Sequence, residues 1–294
     1  MLGQACMRRL ETMVDWTVAG TQRSAPDQPH YLDVATSTND LEQACASHRW
    51  EFIVNAIGLL KPLIDVRNVE SVRQAVRVNA IVPHEIAEIS ARYGARVIHV
   101  STDAIFGASA DAAYTEAHPA SPADFYGMTK GLGECGADHV LNLRCSIVGR
   151  DAGHGRGLVE WLLGHRPGTS VNGFVDYVWS AATTTQVAEL CTAVIERGVF
   201  DRFRAQSPVY HFAPNPPMSK FEFLQTLADV SGSGVTVAPV RYPGGAFRRT
   251  LATMFDDFQR LFPEPRSWTA VIADALGRAA SSRDPFIPKD HSHP

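Results

Sequence analysis

Between Glu51 and Gly58 the chain runs Glu-Phe-Ile-Val-Asn-Ala-Ile-Gly, a nearly continuous apolar stretch that closes on a glycine. A run this short and this apolar reads as a parallel strand covered on both faces by helices. Arg96–Val100 and Val140–Ile147 repeat the pattern, and helical periodicity over Val69–Tyr93, with Pro83 as a kink, and from Gly127 to Glu134 separates the three. Strand and helix in alternation make a parallel sheet with right-handed crossovers, so the expected fold is α/β, a Rossmann-like doubly wound parallel sheet. Such sheets bind ligands beyond the carboxyl ends of their strands. The residues that follow each apolar run are therefore the candidates for function.

After Arg96–Val100 come Ser101, Thr102 and Asp103, which put two hydroxyls at a strand end. Further on, Tyr126 and Lys130 stand four residues apart, so a helix over this stretch stacks their side chains on one face. An ammonium beside a phenol favours the phenolate and draws the group down from its usual value near ~10. A hydroxyl, a phenol and a lysine suit the polarisation and protonation of a ketone while a hydride arrives from a cofactor. For the Tyr126 and Lys130 pair taken alone, a solvated helix face is the competing reading.

The surrounding phrase is more specific. Ser-Thr-Asp-Ala-Ile-Phe-Gly at 101–107, Tyr114 with Glu116, Pro122, Tyr-Gly-Met-Thr-Lys at 126–130 and Gly133-Glu134 together resemble the extended short-chain dehydrogenase/reductases. Among these the chain is most similar to the dTDP-4-dehydrorhamnose reductase type, from Leu2 to about Trp268 and most specifically between Asn55 and Gly149. The resemblance implies NADPH-dependent reduction of a nucleotide-linked 4-keto-6-deoxy sugar, in cell-surface polysaccharide or deoxysugar biosynthesis. It gives Tyr126 the role of proton donor and Thr102, assisted by Ser101, that of hydrogen-bonding the carbonyl oxygen. Lys130 lowers the phenol's pKa and holds the nicotinamide ribose, with Asn79 in support. Asn55, Ala56 and Gly58 match the turn beside the cofactor's ribose and phosphates, and Asp33 and Val34 border the adenine. Asp103, Phe106, Trp179 and Arg249 fall where relatives meet the substrate. For Trp179, in a Tyr177–Ser180 segment, a place in an aromatic core is the alternative; for Arg249, behind the Pro243-Gly244-Gly245 loop, a solvated arginine is the alternative.

The start departs from the pattern. A dinucleotide fold opens on a strand and a G-x-x-G-x-x-G loop whose amides meet the pyrophosphate at a helix N-terminus. Here Gly3 alone matches the end of that loop, and the chain opens on a helix over Gly3–Val14. The first strand and part of the glycine loop are missing from the sequence, and Met1 is expected to be an internal methionine of a longer natural product. Trp16–Gly20 and Tyr31–Val34 read as the next two strands. The first of them ends in Thr21-Gln22-Arg23-Ser24, where an arginine in place of an acid accommodates a 2′-phosphate. Arg23 and Ser24 therefore favour NADPH, with NADH as the alternative.

From Gly153 onward, glycines at 153, 155, 157, 164, 168 and 173 break the rhythm. Residues 1–152 with about 182–213 are expected to form the NADP-binding domain, and 153–181 with 214–280 a smaller C-terminal substrate domain. Asn172-Gly173 reads as a turn, Ser219-Lys220 as the cap of an amphipathic helix, and 281–294 as a disordered tail. The net charge of −4, with no basic run longer than Arg8-Arg9 or Arg248-Arg249, argues against nucleic acid. Five cysteines without a C-x-x-C pair suit free thiols in a reducing compartment. No apolar stretch approaches the ~20 residues of a membrane span, and the expected location is cytoplasmic. Relatives sometimes hold magnesium at a dimer interface, but no matching acidic cluster appears; no metal is expected, and a homodimer is left open. Two other functions fit the same residues: an epimerase or dehydratase with tightly held cofactor, and a non-catalytic regulatory subunit, which the cut glycine loop favours.

Arg23 generates the first testable expectation. A charge-assisted contact to a 2′-phosphate contributes roughly 1.5–3 kcal/mol. Arg23→Ala should weaken NADPH binding by about one to two decades and leave NADH nearly unchanged in a fluorescence titration; equal losses for both would remove Arg23 from the assignment.

Overall fold

The computed structural model describes residues 1–21, 32–35, 37–108, 112–151, 155, 157–262 and 266–277. Arg23, Ser24, Tyr31, Gly153 and the 281–294 tail lie outside the described residues.

Four parallel strands, Phe52–Asn55, Arg96–Val100, Val140–Arg144 and Val209–His211, lie side by side in sequence order. Phe52–Asn55 and Arg96–Val100 lead directly into helical segments, whereas Val140–Arg144 and Val209–His211 are each followed by a two-residue strand, Ile147–Val148 and Met218–Ser219. The two-residue period of the strands divides the sheet's faces. Ile98, Val100, Leu141 and Leu143 pack with Leu2, Ala5 and Cys6 of the first helix, Leu2–Leu10, and with the helix Thr184–Glu196. On the other side Val97 and Val140 meet Ile86 and Ile89 of the helix Val82–Tyr93. All five cysteines are free and buried. Among the described residues no helix is long and apolar enough to cross a membrane.

Several expected elements take another form. The described part of Trp16–Val34 contains no strand, and Phe52–Asn55 is an outer strand of the described sheet. Its Phe52, Ile53 and Val54 are only half-buried for that reason, against the fully covered strand that the apolar run suggested. Leu32 and Val34 contribute by side-chain burial against Leu41, Leu59 and Val78 rather than by a ladder. The long helix divides into Val69–Val76, a π-helical turn Arg77–Ile81, and Val82–Tyr93. Pro83 has no N–H to offer the Asn79 carbonyl four residues back. Gly133 closes on that same carbonyl, where a Cβ would collide with it.

A second core gathers Val148, Val159, Leu162, Trp179, Phe223 and Leu227. It is built on a parallel pair, Ser170–Phe174 with Thr236–Val240, and on a three-stranded sheet in the order Phe247–Arg249, Tyr177–Trp179, Met218–Ser219. Reciprocal capping boxes start its neighbouring helices, Thr183 with Gln186 and Ser219 with Glu222. Asn172-Gly173 is not a turn: Gly173 lies inside a strand, opposite Pro239. The glycine is there for space. A Cβ on it would come within 2.8 Å of the Phe221 Cα and 2.7 Å of the Val237 side chain.

Gly173→Ala should therefore cost about 1–3 kcal/mol through overpacking, visible as a lowered denaturation midpoint. An unchanged midpoint would mean that the helix Lys220–Ser231 is free to move away from the strand.

Candidate active site

The Arg96–Val100 strand delivers three buried polar residues. Thr102 caps the short 3₁₀ turn Asp103–Ile105 by accepting from the Ala104 N–H at 3.1 Å. The Ser101 hydroxyl donates to Glu134 Oε1 at 2.7 Å, so it is engaged with a carboxylate that also takes Arg144 through two bonds of 2.8 and 2.6 Å. Ser101 is thus a hydrogen-bond partner of that ion pair.

Tyr126 and Lys130 do share the helix Phe125–Leu132, which Asp124 starts by accepting from the Gly127 N–H at 2.8 Å. Gly127 itself lets the helix lie on the 3₁₀ turn, because a Cβ there would meet the Ala104 carbonyl. That close approach sets the Tyr126 phenol near the Thr102 hydroxyl, which favours the ionised form of the phenol. Burial pushes the phenol up to about 12, with the Thr102 hydroxyl opposing and the Asp103 charge adding to the rise. Lys130 does not draw it down as the spacing suggested. Its ammonium points into the sheet end, donating to the Val100 carbonyl at 2.9 Å, and burial lowers it to about 8 against the pull of Glu134. Thr102 and Tyr126 are therefore a hydroxyl pair with the proton retained at neutral pH.

The turn after Phe52–Asn55 lies beside Lys130: a Cβ on Gly58 would be 3.8 Å from Lys130 Nζ and 3.7 Å from Asn79 Oδ1. Asn79 holds this turn by pairing with both backbone groups of Leu59, at 2.8 and 3.0 Å, and donating to Thr129 at 3.2 Å. Asn55 has its side chain committed elsewhere, with its amide on His99 Nδ1 at 2.9 Å and its oxygen on the Ile57 N–H at 3.0 Å. Ala56 is half-buried against the first core. Asp33, Val34 and Gly58 line one cleft of about 140 Å³ together with Thr21, Leu32, Ile57, Leu59 and Val78. Gly3 lies exposed in the first turn of the helix Leu2–Leu10, with nothing within 4 Å of the place a Cβ would take.

The four candidate substrate residues divide. Asp103 and Arg249 are ion-paired at 2.9 Å across the two cores, and Arg249 also donates to the Phe106 carbonyl at 3.2 Å, so this arginine is not solvated. Phe106 is fully buried and stacks on Tyr114 at 4.2 Å between ring centres; its side chain belongs to the packing. Trp179, 2% exposed, packs on Phe223 and is likewise a core residue, the alternative that the sequence held open. Among the described residues no group of three or more His, Cys, Asp or Glu is placed to hold a metal ion.

Residues 1–280 match the family described as the RmlD substrate binding domain. The chain belongs to that family. A spore coat polysaccharide biosynthesis protein of Bacillus subtilis, SpsK, is 26% identical to it over 226 residues, 72% of this chain and 74% of the relative. The crystal structure of a dTDP-4-dehydrorhamnose reductase from Clostridium acetobutylicum superposes with a TM-score of 0.73 over 93% of this chain and 94% of its own, at 18% identity. A dTDP-4-dehydrorhamnose reductase of Bacillus anthracis, solved in complex with NADP, gives 0.71 over the same shares, 93% and 94%, at 18% identity. The Rossmann-like parallel sheet is the fold of these RmlD-family reductases.

Against this RmlD-family frame, three side chains have contacts that the sequence did not assign to them. Asp124 is both a helix cap and the partner of Lys61 at 2.8 Å, and its position just ahead of the helix was a readable signal. Glu116 accepts from the His211 and Met254 N–H groups at 2.8 and 2.9 Å, a link that no local pattern announces. The third is Lys220, whose Nζ rests 3.4 Å from the centre of the Trp179 ring.

Lys130 carries a linkage prediction. Its proton is held up to about 8 in the fold and up to the ordinary 10.5 in the unfolded chain. Below pH 8 both states are charged and the fold bears the full cost of burial; between the two values the unfolded state binds more protons, so stability rises with pH. A lowering of this size is worth roughly 3 kcal/mol. Wild type should gain stability relative to Lys130→Met by up to that amount as urea unfolding is repeated from pH 8 to 10.5. A gap that does not change with pH would show that the ammonium is not penalised.

Proposed function

We propose that this protein is an NADPH-dependent reductase of a nucleotide-linked 4-keto-6-deoxy sugar, of the dTDP-4-dehydrorhamnose reductase type, acting in polysaccharide or deoxysugar synthesis. The observation that carries the reading is the placing of Thr102 and Tyr126 close together at a strand's carboxyl end, with Lys130 buried one turn along the same helix. The name of the Bacillus subtilis relative, a polysaccharide biosynthesis protein, and those of the structural neighbours point the same way.

The residues present fit a nicotinamide dinucleotide. The Asp33–Val34–Gly58 cleft is open to an adenosine end, and Gly58 keeps the approach to Lys130 clear of a side chain. Gly3, Arg23, Ser24, Asp33, Val34, Gly58 and Lys130 are the residues that would hold the cofactor. When bound, NADPH supplies the hydride for the sugar carbonyl carbon. Tyr126 then gives its proton to the carbonyl oxygen. A phenol held near 12 stays protonated at neutral pH, the state that reduction requires, and an alkoxide is basic enough to take that proton. Thr102 positions the phenol and donates to the same oxygen as charge develops there. Lys130 fixes the helix to the sheet end and so sets where the phenol stands.

Incubation with a panel of nucleoside-diphosphate 4-keto sugars tests the reading: net loss of NADPH absorbance with at least one of them is expected. Conversion without net NADPH turnover would make the protein an epimerase or dehydratase, and no conversion at all would leave the regulatory alternative. Tyr126→Phe should keep the fold and cofactor affinity but lower turnover by about 10²- to 10⁴-fold, the usual worth of a general acid. A variant of nearly full rate would remove Tyr126 from the mechanism.

A further inference from the structure

The three-stranded sheet of the second core sets Arg249, Trp179 and Met218 in one register row. The chain leaves that row through Ser219 into the helix Lys220–Ser231, and Lys220 folds back over it. Its Nζ stands 3.4 Å from the centre of the Trp179 ring and 5.4 Å from that of Tyr177. Ring faces hold a cation without consuming its three N–H donors. Among the described residues Lys220 makes no hydrogen bond and no ion pair, and the Asp103 carboxylate that faces it is already taken by Arg249. At the start of the helix, Ser219 and Glu222 cap each other and so engage both of their own amides. The lysine side chain is the charged donor at this spot. Beside it, half-buried aromatic rings offer apolar faces: Tyr177 stacks on Phe247 at 4.3 Å and meets Tyr242 at 5.1 Å.

We infer that Lys220, seated on Trp179 and Tyr177, binds the diphosphate of a nucleoside-diphosphate-linked substrate and so holds the sugar against Thr102 and Tyr126. The inference rests on the reductase reading above and names the residue that recognises that substrate's charge. An ammonium whose facing carboxylate is already paired with Arg249 is only partly compensated, and the diphosphate is the anion that this class of substrate brings. Asp103 lies next to Thr102 in the chain, and its bond to Arg249 ties the lysine's row to the end of the catalytic strand. The groups facing Lys220 are Asp103, which favours its charge, Arg249, which opposes it, and the Tyr177 ring; burial outweighs them and lowers the ammonium to about 7. A diphosphate arriving there restores the charge, so binding takes up a proton.

The test is calorimetric titration of dTDP and UDP near pH 8, in two buffers of different ionisation enthalpy, into wild type, Lys220→Met and Lys220→Arg, each checked for folding by its melting curve. Wild type should bind at least one of the two with uptake of a fraction of a proton. Lys220→Met should bind about tenfold or more weakly with no uptake, whereas Lys220→Arg should recover affinity without uptake, because arginine stays charged. Failure of wild type to bind either nucleotide, or binding without proton uptake, overturns the inference. So does Lys220→Met affinity equal to wild type. If Lys220→Met does not fold, the uptake by wild type and its absence in Lys220→Arg still decide. The two readings fail separately: Lys220-dependent nucleotide binding without sugar reduction sinks the reductase and keeps the site. Reduction with a KM untouched in Lys220→Met keeps the reductase and sinks the site.

Discussion

The ammonium of Lys130 is buried at the carboxyl end of the central strands, and the position of every other group around Tyr126 depends on how that charge is accommodated. A lone cation there would cost several kcal/mol. Two groups offset it: the Val100 carbonyl accepts directly, and the Glu134 carboxylate acts through space. Glu134 is in turn fixed by two bonds from Arg144 and one from Ser101. Arg144 is the register partner of His211, and its guanidinium stands 3.3 Å from that ring. Glu116 then carries the chain of contacts on to His211 and Met254 through their N–H groups. A polar row thus runs across the carboxyl ends of three adjacent strands. It explains why Ser101, one residue from Thr102, serves the scaffold while Thr102 faces the phenol.

The parts of this arrangement that are local in sequence could be read from sequence. Arg96–Val100 and the Tyr126–Lys130 helix are each set by side-chain periodicity within a few residues, and both form as that periodicity requires. Ser219 with Glu222 is a local signal of the same kind. What failed depended on partners far along the chain. Trp16–Gly20 has strand-forming residues, but a strand exists only with a neighbour to pair with. Asn172-Gly173 has turn chemistry, yet the space taken by Phe221 and Val237 decides the glycine's use. The resemblance drew attention to Phe106, Trp179 and Arg249, but their burial and pairing rest on contacts such as that between Arg249 and Asp103, which are 146 residues apart. No local pattern carries that information.

Lys130 and Lys220 show the same residue type under two different constraints. Lys130 has a fixed acceptor and a carboxylate in range, which makes it a strut whose charge is only partly penalised. Lys220 has ring faces beneath it and no hydrogen-bond acceptor among the described residues. Burial lowers both ammonium groups, but only for Lys220 is the missing partner a question of ligand rather than of fold.

The ion pair of Asp103 with Arg249 brings the second core into the chemistry of the first. Asp103 adjoins Thr102, and its negative charge raises the Tyr126 phenol; Asp124, at the start of the same helix, acts in the same direction. An uncompensated Asp103 this close would bind the phenolic proton more tightly still. Arg249 arrives from a strand of the other core, neutralises Asp103 at 2.9 Å and also favours the charged form of Asp124. Coulomb attraction over such a distance at low dielectric is strong, but it falls quickly if the pair separates and water enters. The Asp103 contribution to the Tyr126 phenol is therefore tempered by how firmly the Phe247–Arg249 strand sits against the end of Arg96–Val100. Burial chiefly sets the acidity of this phenol, and Asp103, held by an arginine from the other core, adds to it.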